Sequence, residues 1–344
     1  MKRLIRVIVI DDSALMRKCL VNLINAEPDM EVIATAPEPL TARELIRTLN
    51  PDVVTLDIEM PKMNGLDFLE KLMRLKPMPV LMVSSLTEEG SQAALRALEL
   101  GAFDCVGKPR MDSLGQVGSE LIAKLRAAAA APVSALLRPA SQAPKPSGPV
   151  NGHGRLIAIG ASTGGTQAIQ HILADLPANM PPIMVVQHMP ATFTGPFARR
   201  LDTLCALTVR EASHGEPVES GTVYIAPGGK HMTVIGHIGQ LRISLNDHPP
   251  VNGHRPAVDV LFGSVAKLIG RRALGLLLTG MGSDGARGLL EMKQAGAYTA
   301  AQDKDSSVVF GMPQEAIKLG AADEVLALEA FADALVRQLR GAAG

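Results

Sequence analysis

The 344-residue chain has no tryptophan, and its aromatic residues, two Tyr and seven Phe, amount to 3% of the whole. Platforms that stack bases or sugars need several rings, so both are poor expectations. An excess of one charge is missing as well, because Lys+Arg 34 balance Asp+Glu 34 for a net charge of +0. Affinity built on neutralising phosphates is therefore not expected, and no nucleic-acid partner is expected, although local basic patches remain open. Cysteine is scarce: Cys19, Cys105 and Cys205 stand far apart with no C-x-x-C spacing. That excludes a disulfide framework and a structural zinc site, and it fits a reducing cytoplasm. Long apolar runs are absent too. Val7 to Ile10 stops at Asp11-Asp12, and Leu276 to Leu278 stops at Thr279-Gly280. Neither a signal peptide nor insertion into a membrane is expected.

What the chain does contain is ample apolar material, 47% hydrophobic against 20% charged residues. With typical domains of about 150 residues, that length predicts two cores. In the first part, strand patterns at Arg6–Ile10, Glu31–Ala34, Val53–Leu56, Val80–Val83 and Phe103–Val106 alternate with helical patterns. Such alternation predicts a doubly wound parallel sheet over residues 1–126, flavodoxin-like in kind. Alanines at 127–131 and prolines at 132, 139, 144, 146 and 149 then read as a linker over 127–154. A second α/β domain is expected over 155–344, beginning with a buried strand at Arg155–Gly160 and a helix near Gln167–Leu173. Further inner strands are expected at Pro182–Gln187 and Ala273–Thr279, and a hairpin at Met232–Ile235 and Leu241–Ser244. The sheet is predicted to be mainly parallel, with the hairpin as an antiparallel addition.

Asp11, Asp12, Asp57, Ser84 and Lys108 all fall at carboxyl ends of the expected strands of the first domain. In an open parallel sheet that edge binds ligands, so these residues are expected to converge. Three carboxylates together repel unless a hard cation joins them, and Mg²⁺ suits an all-oxygen site. Taken singly, each acid reads equally as a turn or capping residue.

In the second domain Gly160-Ala161-Ser162-Thr163-Gly164 matches G-x-S-x-G between a strand and a helix. Glycines allow the sharp turn that exposes a serine hydroxyl, while amides at the helix start can face an oxyanion. A structural turn or a phosphate loop are the alternatives, although G-x-G-x-x-G and G-K-[ST] are both absent. His188 directly follows the next strand and is the expected base, with His231 and His254 as rivals in Gly/Pro-rich loops. Asp284, beyond Leu278-Thr279-Gly280, would orient the imidazole, or alone would cap the helix that follows. The order Ser, His, Asp is not that of the α/β-hydrolase fold.

Two sets of motifs carry a family resemblance. Val9-Ile10-Asp11-Asp12-Ser13, Leu56-Asp57-Ile58-Glu59-Met60-Pro61, Asn64-Gly65, Met82-Val83-Ser84-Ser85 and Gly107-Lys108-Pro109 resemble the receiver domain of two-component response regulators. The resemblance implies that Asp57 accepts a phosphoryl group from a histidine kinase. It also implies that Asp11, Asp12, Asp57 and the Glu59 carbonyl hold Mg²⁺, and that Ser84 and Lys108 bind phosphoryl oxygens. Cys105 stands where such domains usually carry an aromatic switch residue.

The second set, the Ser162, His188 and Asp284 segments with Ile225-Ala226-Pro227-Gly228, Pro249-Pro250-Val251-Asn252, His254-Arg255-Pro256 and Val309-Phe310-Gly311-Met312-Pro313, resembles the chemotaxis protein-glutamate methylesterases, the CheB family. That resemblance implies a Ser162–His188–Asp284 triad, with Thr163 and Met281 in the oxyanion region and no cofactor in the esterase domain. It implies hydrolysis of γ-glutamyl methyl esters on chemoreceptors, deamidation of certain glutamines, and activation by phosphorylation. A cytoplasmic monomer is expected, with the chemotaxis kinase and the receptors as partners. A response regulator with a nucleic-acid-binding output is the rival, and it would require a basic recognition helix that the scattered charges do not provide. A catalytically inactive receptor-binding adaptor is the third possibility.

Overall fold

Short, largely apolar strands with helices between them suit a parallel sheet covered on both faces. A computed structural model of the chain shows this twice, in two compact units, residues 1–138 and 139–344. The structure describes residues 3–60, 64–84, 87–109, 114–133, 150, 152 and 154–340. Pro61, Ser85, His153 and residues 134–149 of the expected linker therefore lie outside the described residues.

The first unit runs β1 (Ile5–Ile10), α1 (Ala14–Asn25), β2 (Met30–Ala36), α2 (Pro39–Leu49), β3 (Val53–Asp57), α3 (Gly65–Leu75), β4 (Val80–Ser84), α4 (Glu88–Glu99), β5 (Asp104–Gly107) and α5 (Leu114–Ala130). Its five strands lie in the order β2-β1-β3-β4-β5, all pairs parallel, which is the flavodoxin-like winding expected. Every residue of β3 and β4 is buried. Helix starts are capped locally: Ser13 accepts from the Met16 amide and Thr87 from the Gly90 amide. Four of the five alanines read as the beginning of the linker, 127–130, instead form the end of α5, because alanine is the strongest helix former and no glycine or proline interrupts the run before Pro132.

The second unit runs β6 (Leu156–Ala161), α6 (Gly165–Asp175), β7 (Ile183–Gln187), α7 (Ala191–Leu204), β8 (Thr208–Glu211), β9 (Thr222–Ile225), β10 (His231–His237), β11 (Gln240–Asn246), α8 (Val258–Ile269), β12 (Ala273–Leu277), α9 (Ala286–Gln294), β13 (Tyr298–Gln302), α10 (Met312–Lys318), β14 (Glu324–Leu326) and α11 (Phe331–Arg340). Seven strands form one sheet in the order β14-β13-β12-β6-β7-β9-β8, with every pair parallel. β10 and β11 form a separate antiparallel hairpin, and β11 also bridges the 215–218 segment, with Pro217 opposite Arg242. The edge strands β8 and β14 are short and partly exposed, so their sequences lack the apolar signal of the inner ones.

The chain leaves β6 toward β7 on one side and later returns to β12 on the other, so the winding reverses beside β6. Loops leaving β6, β7 and β12 meet at that reversal, the ligand-binding place of open parallel sheets. α8 belongs to one buried cluster with sheet residues Leu156, Met184 and Tyr224 and hairpin residues Met232, Val234 and Ile243. Its approach depends on Gly160, where an added Cβ would lie 2.2 Å from Val258 Cγ1. Gly160→Ala is therefore expected to push α8 outward and cost about 1–3 kcal/mol, read as a lower urea midpoint for the second unit.

Candidate active site

In the first unit the β3 and β4 registers place Asp57 and Ser84 at the carboxyl edge, and Ser84 pairs with Gly107 just before Lys108. One carboxylate oxygen from each of Asp11, Asp12 and Asp57 lies within 4.8 Å of the others. Lys108 Nζ donates to Asp57 Oδ2 at 2.7 Å and stands 3.7 Å from Asp11 Oδ2. Asp57 Oδ1 accepts from the Glu59 amide at 3.1 Å, and Ser84 Oγ donates to the Gly90 carbonyl at 3.3 Å. Asp11 and Asp57 are fully buried. Burial pushes the Asp57 carboxyl up to about 6, with the Lys108 hydrogen bond opposing and the Asp11 charge adding. Asp11 is raised too, by burial more than Lys108 relieves. Its Oδ2 is buried without a hydrogen-bond partner. An all-oxygen cluster with one buried oxygen unpaired and excess negative charge has the donor chemistry of a hard divalent cation site. Cys105 Sγ points to the Ala94 carbonyl at 3.5 Å, and burial pushes its thiol well above the usual range.

The second site is built by three adjacent strand ends. Ala161 pairs with Gln187 and Gly160 with Leu277, so Ser162 emerges between the chains leaving β7 and β12. The Ser162 amide donates to the Thr279 carbonyl at 3.0 Å, and the His188 amide donates to the Ala161 carbonyl at 3.1 Å. Gln187 Nε2 donates to the Ser162 carbonyl at 2.8 Å. Gly164, with φ of +77°, turns the chain into α6. An added Cβ on Gly280 would meet Ser162 Cβ at 2.8 Å, so the loop carrying Met281 passes directly against the serine. Thr163 is buried, and its carbonyl accepts from Thr279 Oγ1 at 3.0 Å. Gln302 Oε1 in turn accepts the Thr279 amide at 2.7 Å.

His188 Nε2 lies 2.9 Å from Asp284 Oδ2, with the two side chains 8% and 1% exposed. A carboxylate on that nitrogen fixes the proton at Nε2 and leaves Nδ1, buried and unpartnered, as the acceptor. Asp284 does not cap the helix that follows it. That helix, α9, has Gly285 as its N-cap and no side-chain cap. Asp284 instead accepts the amides of Val258 at 2.6 Å and Asp259 at 3.2 Å, at the start of α8, whose own N-cap Ala257 has no side chain to offer. It also accepts from Asn252 Nδ2 at 2.8 Å. Burial opposes its charge, but the His188, Asn252 and Val258 hydrogen bonds outweigh that and hold its pKa at about 2.

Both rival histidines have other work. His231 is buried, with Nε2 at 3.1 Å from the Pro249 carbonyl and Nδ1 accepting the Ala257 amide at 3.3 Å. The His254 ring lies flat against His188, centroids 3.8 Å apart and planes 9° apart. Asn252, Asp259 and Thr279 were not singled out as separate functional candidates from the sequence. The Asn252-Gly253 pair was the available signal, as the pair that a tight turn with two positive φ angles demands.

Residues 157–335 match the family described as CheB methylesterase, and residues 7–117 match the response regulator receiver domain. The protein-glutamate methylesterase/protein-glutamine glutaminase 2 of Bordetella avium (strain 197N) is 59% identical over 343 residues, covering 96% of each chain. The corresponding protein of Salmonella choleraesuis (strain SC-B67) is 55% identical over 338 residues, 97% of each. Among solved structures, the Thermotoga maritima CheB methylesterase catalytic domain aligns with a TM-score of 0.52 at 41% identity, covering 54% of this chain and 98% of that one.

The low Asp284 pKa has a consequence for stability. A depressed carboxyl adds stability that is fully present above its unfolded value of 3.8 and is lost as pH falls through about 2. Asp284→Asn is expected to cost the second unit about 2 kcal/mol at neutral pH. The variant should also flatten its loss of stability between pH 4 and 2, as measured by urea unfolding across that range.

Proposed function

The chain belongs to the CheB methylesterase family and carries a response regulator receiver domain, and from that premise we propose that it is a serine esterase gated by phosphorylation of Asp57. Its substrates in this reading are γ-glutamyl methyl esters on chemoreceptors, with certain receptor glutamines deamidated at the same site. The His188–Asp284 hydrogen bond, formed beside Ser162 at the edge of β7, β6 and β12, is the single observation that carries the reading.

Ser162 Oγ attacks the ester carbonyl while its proton passes to His188 Nδ1, the ring nitrogen that Asp284 does not hold. A C–O bond forms, and the carbonyl pair moves onto oxygen, opposite amides of the Thr163 and Met281 segments. Collapse breaks the bond to methoxide, which takes the proton from His188 and leaves as methanol. Water repeats the sequence on the acyl-serine and releases glutamate. With glutamine the leaving group is ammonia. Asp284, ionised throughout, stabilises the transient imidazolium.

In the receiver, Asp57 attacks the phosphorus of a kinase phosphohistidine, so an O–P bond replaces an N–P bond. Asp11, Asp12, Asp57 and the Glu59 carbonyl would hold Mg²⁺, which offsets the charge of the incoming phosphoryl group when bound. Lys108 and Ser84 then bind the phosphoryl oxygens. Cys105, lacking a ring, implies that the signal leaves this receiver by another route than aromatic rotation. A receiver, a tether beginning after α5, and a catalytic unit from about residue 155 complete the arrangement, working as a cytoplasmic monomer. No described helix is long and apolar enough to cross a membrane. The nucleic-acid output loses its ground, because the esterase family spans 157–335.

Methanol release from methylated receptor membranes tests the reading. Ser162→Ala and His188→Ala should each lower it by about a thousandfold or more, with the double variant little worse than either. Retained activity in Ser162→Ala would remove the serine from the chemistry, and an inactive wild type would favour the adaptor. A small phosphodonor with Mg²⁺ should activate wild type and leave Asp57→Ala at its basal rate. Equal activation of both would refute gating through Asp57.

A further inference from the structure

We infer that the turn Val251–His254 is a positioning element of the esterase site, with Asn252 holding the Asp284 carboxylate and His254 holding the plane of the His188 ring. The inference rests on the triad reading and extends it to residues outside the triad.

The turn follows from its sequence. Val251 and His254 exchange both backbone hydrogen bonds, at 3.1 and 2.9 Å, across Asn252 and Gly253, whose φ angles are +53° and +81°. Asn-Gly is the pair that tolerates two such angles in succession. Both flanks of the turn are tied down. Arg255 Nη1 donates to the Asp247 carbonyl at 2.7 Å, and buried His231 bridges the Pro249 carbonyl and the Ala257 amide.

On that anchored loop the two side chains act on different triad members. Asn252 Nδ2 donates to Asp259 Oδ2 at 2.7 Å and to Asp284 Oδ1 at 2.8 Å, one amide proton for each carboxylate. With Asp284 Oδ1 engaged there, Oδ2 is presented to His188. The amide also separates two acids that would otherwise face each other, and burial with the nearby Asp284 charge raises Asp259. A hydrogen bond at Nε2 fixes one edge of the His188 ring but not the tilt of its plane. The parallel His254 ring, 3.8 Å away, supplies that second restraint. Nδ1 is then held in one direction for the serine proton, and the orientation is set before substrate arrives.

The test measures kcat and KM of the full chain on a soluble γ-glutamyl methyl ester peptide, with the His188 Nε2 proton followed by NMR as a far-downfield resonance. Asn252→Ala and His254→Ala should each lower kcat about tenfold, with KM changed by less than about twofold. The downfield proton should shift or broaden in both. His254→Phe, which keeps a flat ring, should recover most of the rate. Asn252→Asp, although isosteric, should be worse than Asn252→Ala, because it adds a third carboxylate beside Asp284 and Asp259. Wild-type kcat in both alanine variants, or a loss carried by KM alone, would overturn the inference. So would a His254→Phe variant that folds and is as impaired as His254→Ala. Ser162→Ala run alongside separates the two failures: if it stays active the triad reading is wrong, and if it is dead while the turn variants are normal only this inference is wrong.

Discussion

The second unit depends on where one buried carboxylate puts its negative charge. Asp284 accepts from two backbone amides at the start of α8, from Asn252 and from His188, and it is 1% exposed. A buried charge without such partners would neutralise itself by taking up a proton. With them the Asp284 pKa falls to about 2. The same interactions tie α8, the 251–254 turn and the imidazole to one anchor. α8 can reach that anchor because Gly160 leaves room for Val258 at the end of β6, the strand that leads into Ser162.

The receiver meets the opposite electrostatic problem. Asp11 and Asp57 are buried beside each other with Lys108 as their cationic neighbour, and both carboxyls are raised rather than lowered. A site that is under-neutralised in this way has the electrostatics of a cation site, and the raised carboxyls come at some cost in stability. In the esterase site the protein's own donors satisfy the acid. In the receiver they leave the paired acids only partly neutralised.

Both sites nevertheless arise from the same geometry. Parallel strands bring residues far apart in sequence to one edge, and loops leaving adjacent strands converge there. Asp11, Asp57 and Lys108 come from β1, β3 and the end of β5, while Ser162, His188 and Asp284 follow β6, β7 and β12. The chemistry differs because one set of loops supplies oxygen donors and a lysine, and the other a hydroxyl, an imidazole and a carboxylate.

Local pattern in the chain accounts for one part of this architecture. Largely apolar runs such as Val53–Leu56 mark inner strands, the glycines around Ser162 mark a sharp strand-to-helix turn, and acids at strand ends mark a shared edge. Elements buried on one side or kept short, such as β8 and β14, carried no comparable pattern and became visible only as partners in the sheet. The end of α5 was hidden for another reason, since a run of alanines suits both a tether and a helix until the helix before it is known. Tertiary structure alone decided what Asp284 caps, because the α8 amides it accepts lie some twenty-five residues earlier in the chain. It also decided that the His254 ring lies flat against that of His188. Local propensity acts over a few residues, whereas the direction of a side chain's hydrogen bond and the face of a ring are set by whatever the packed sheet brings alongside.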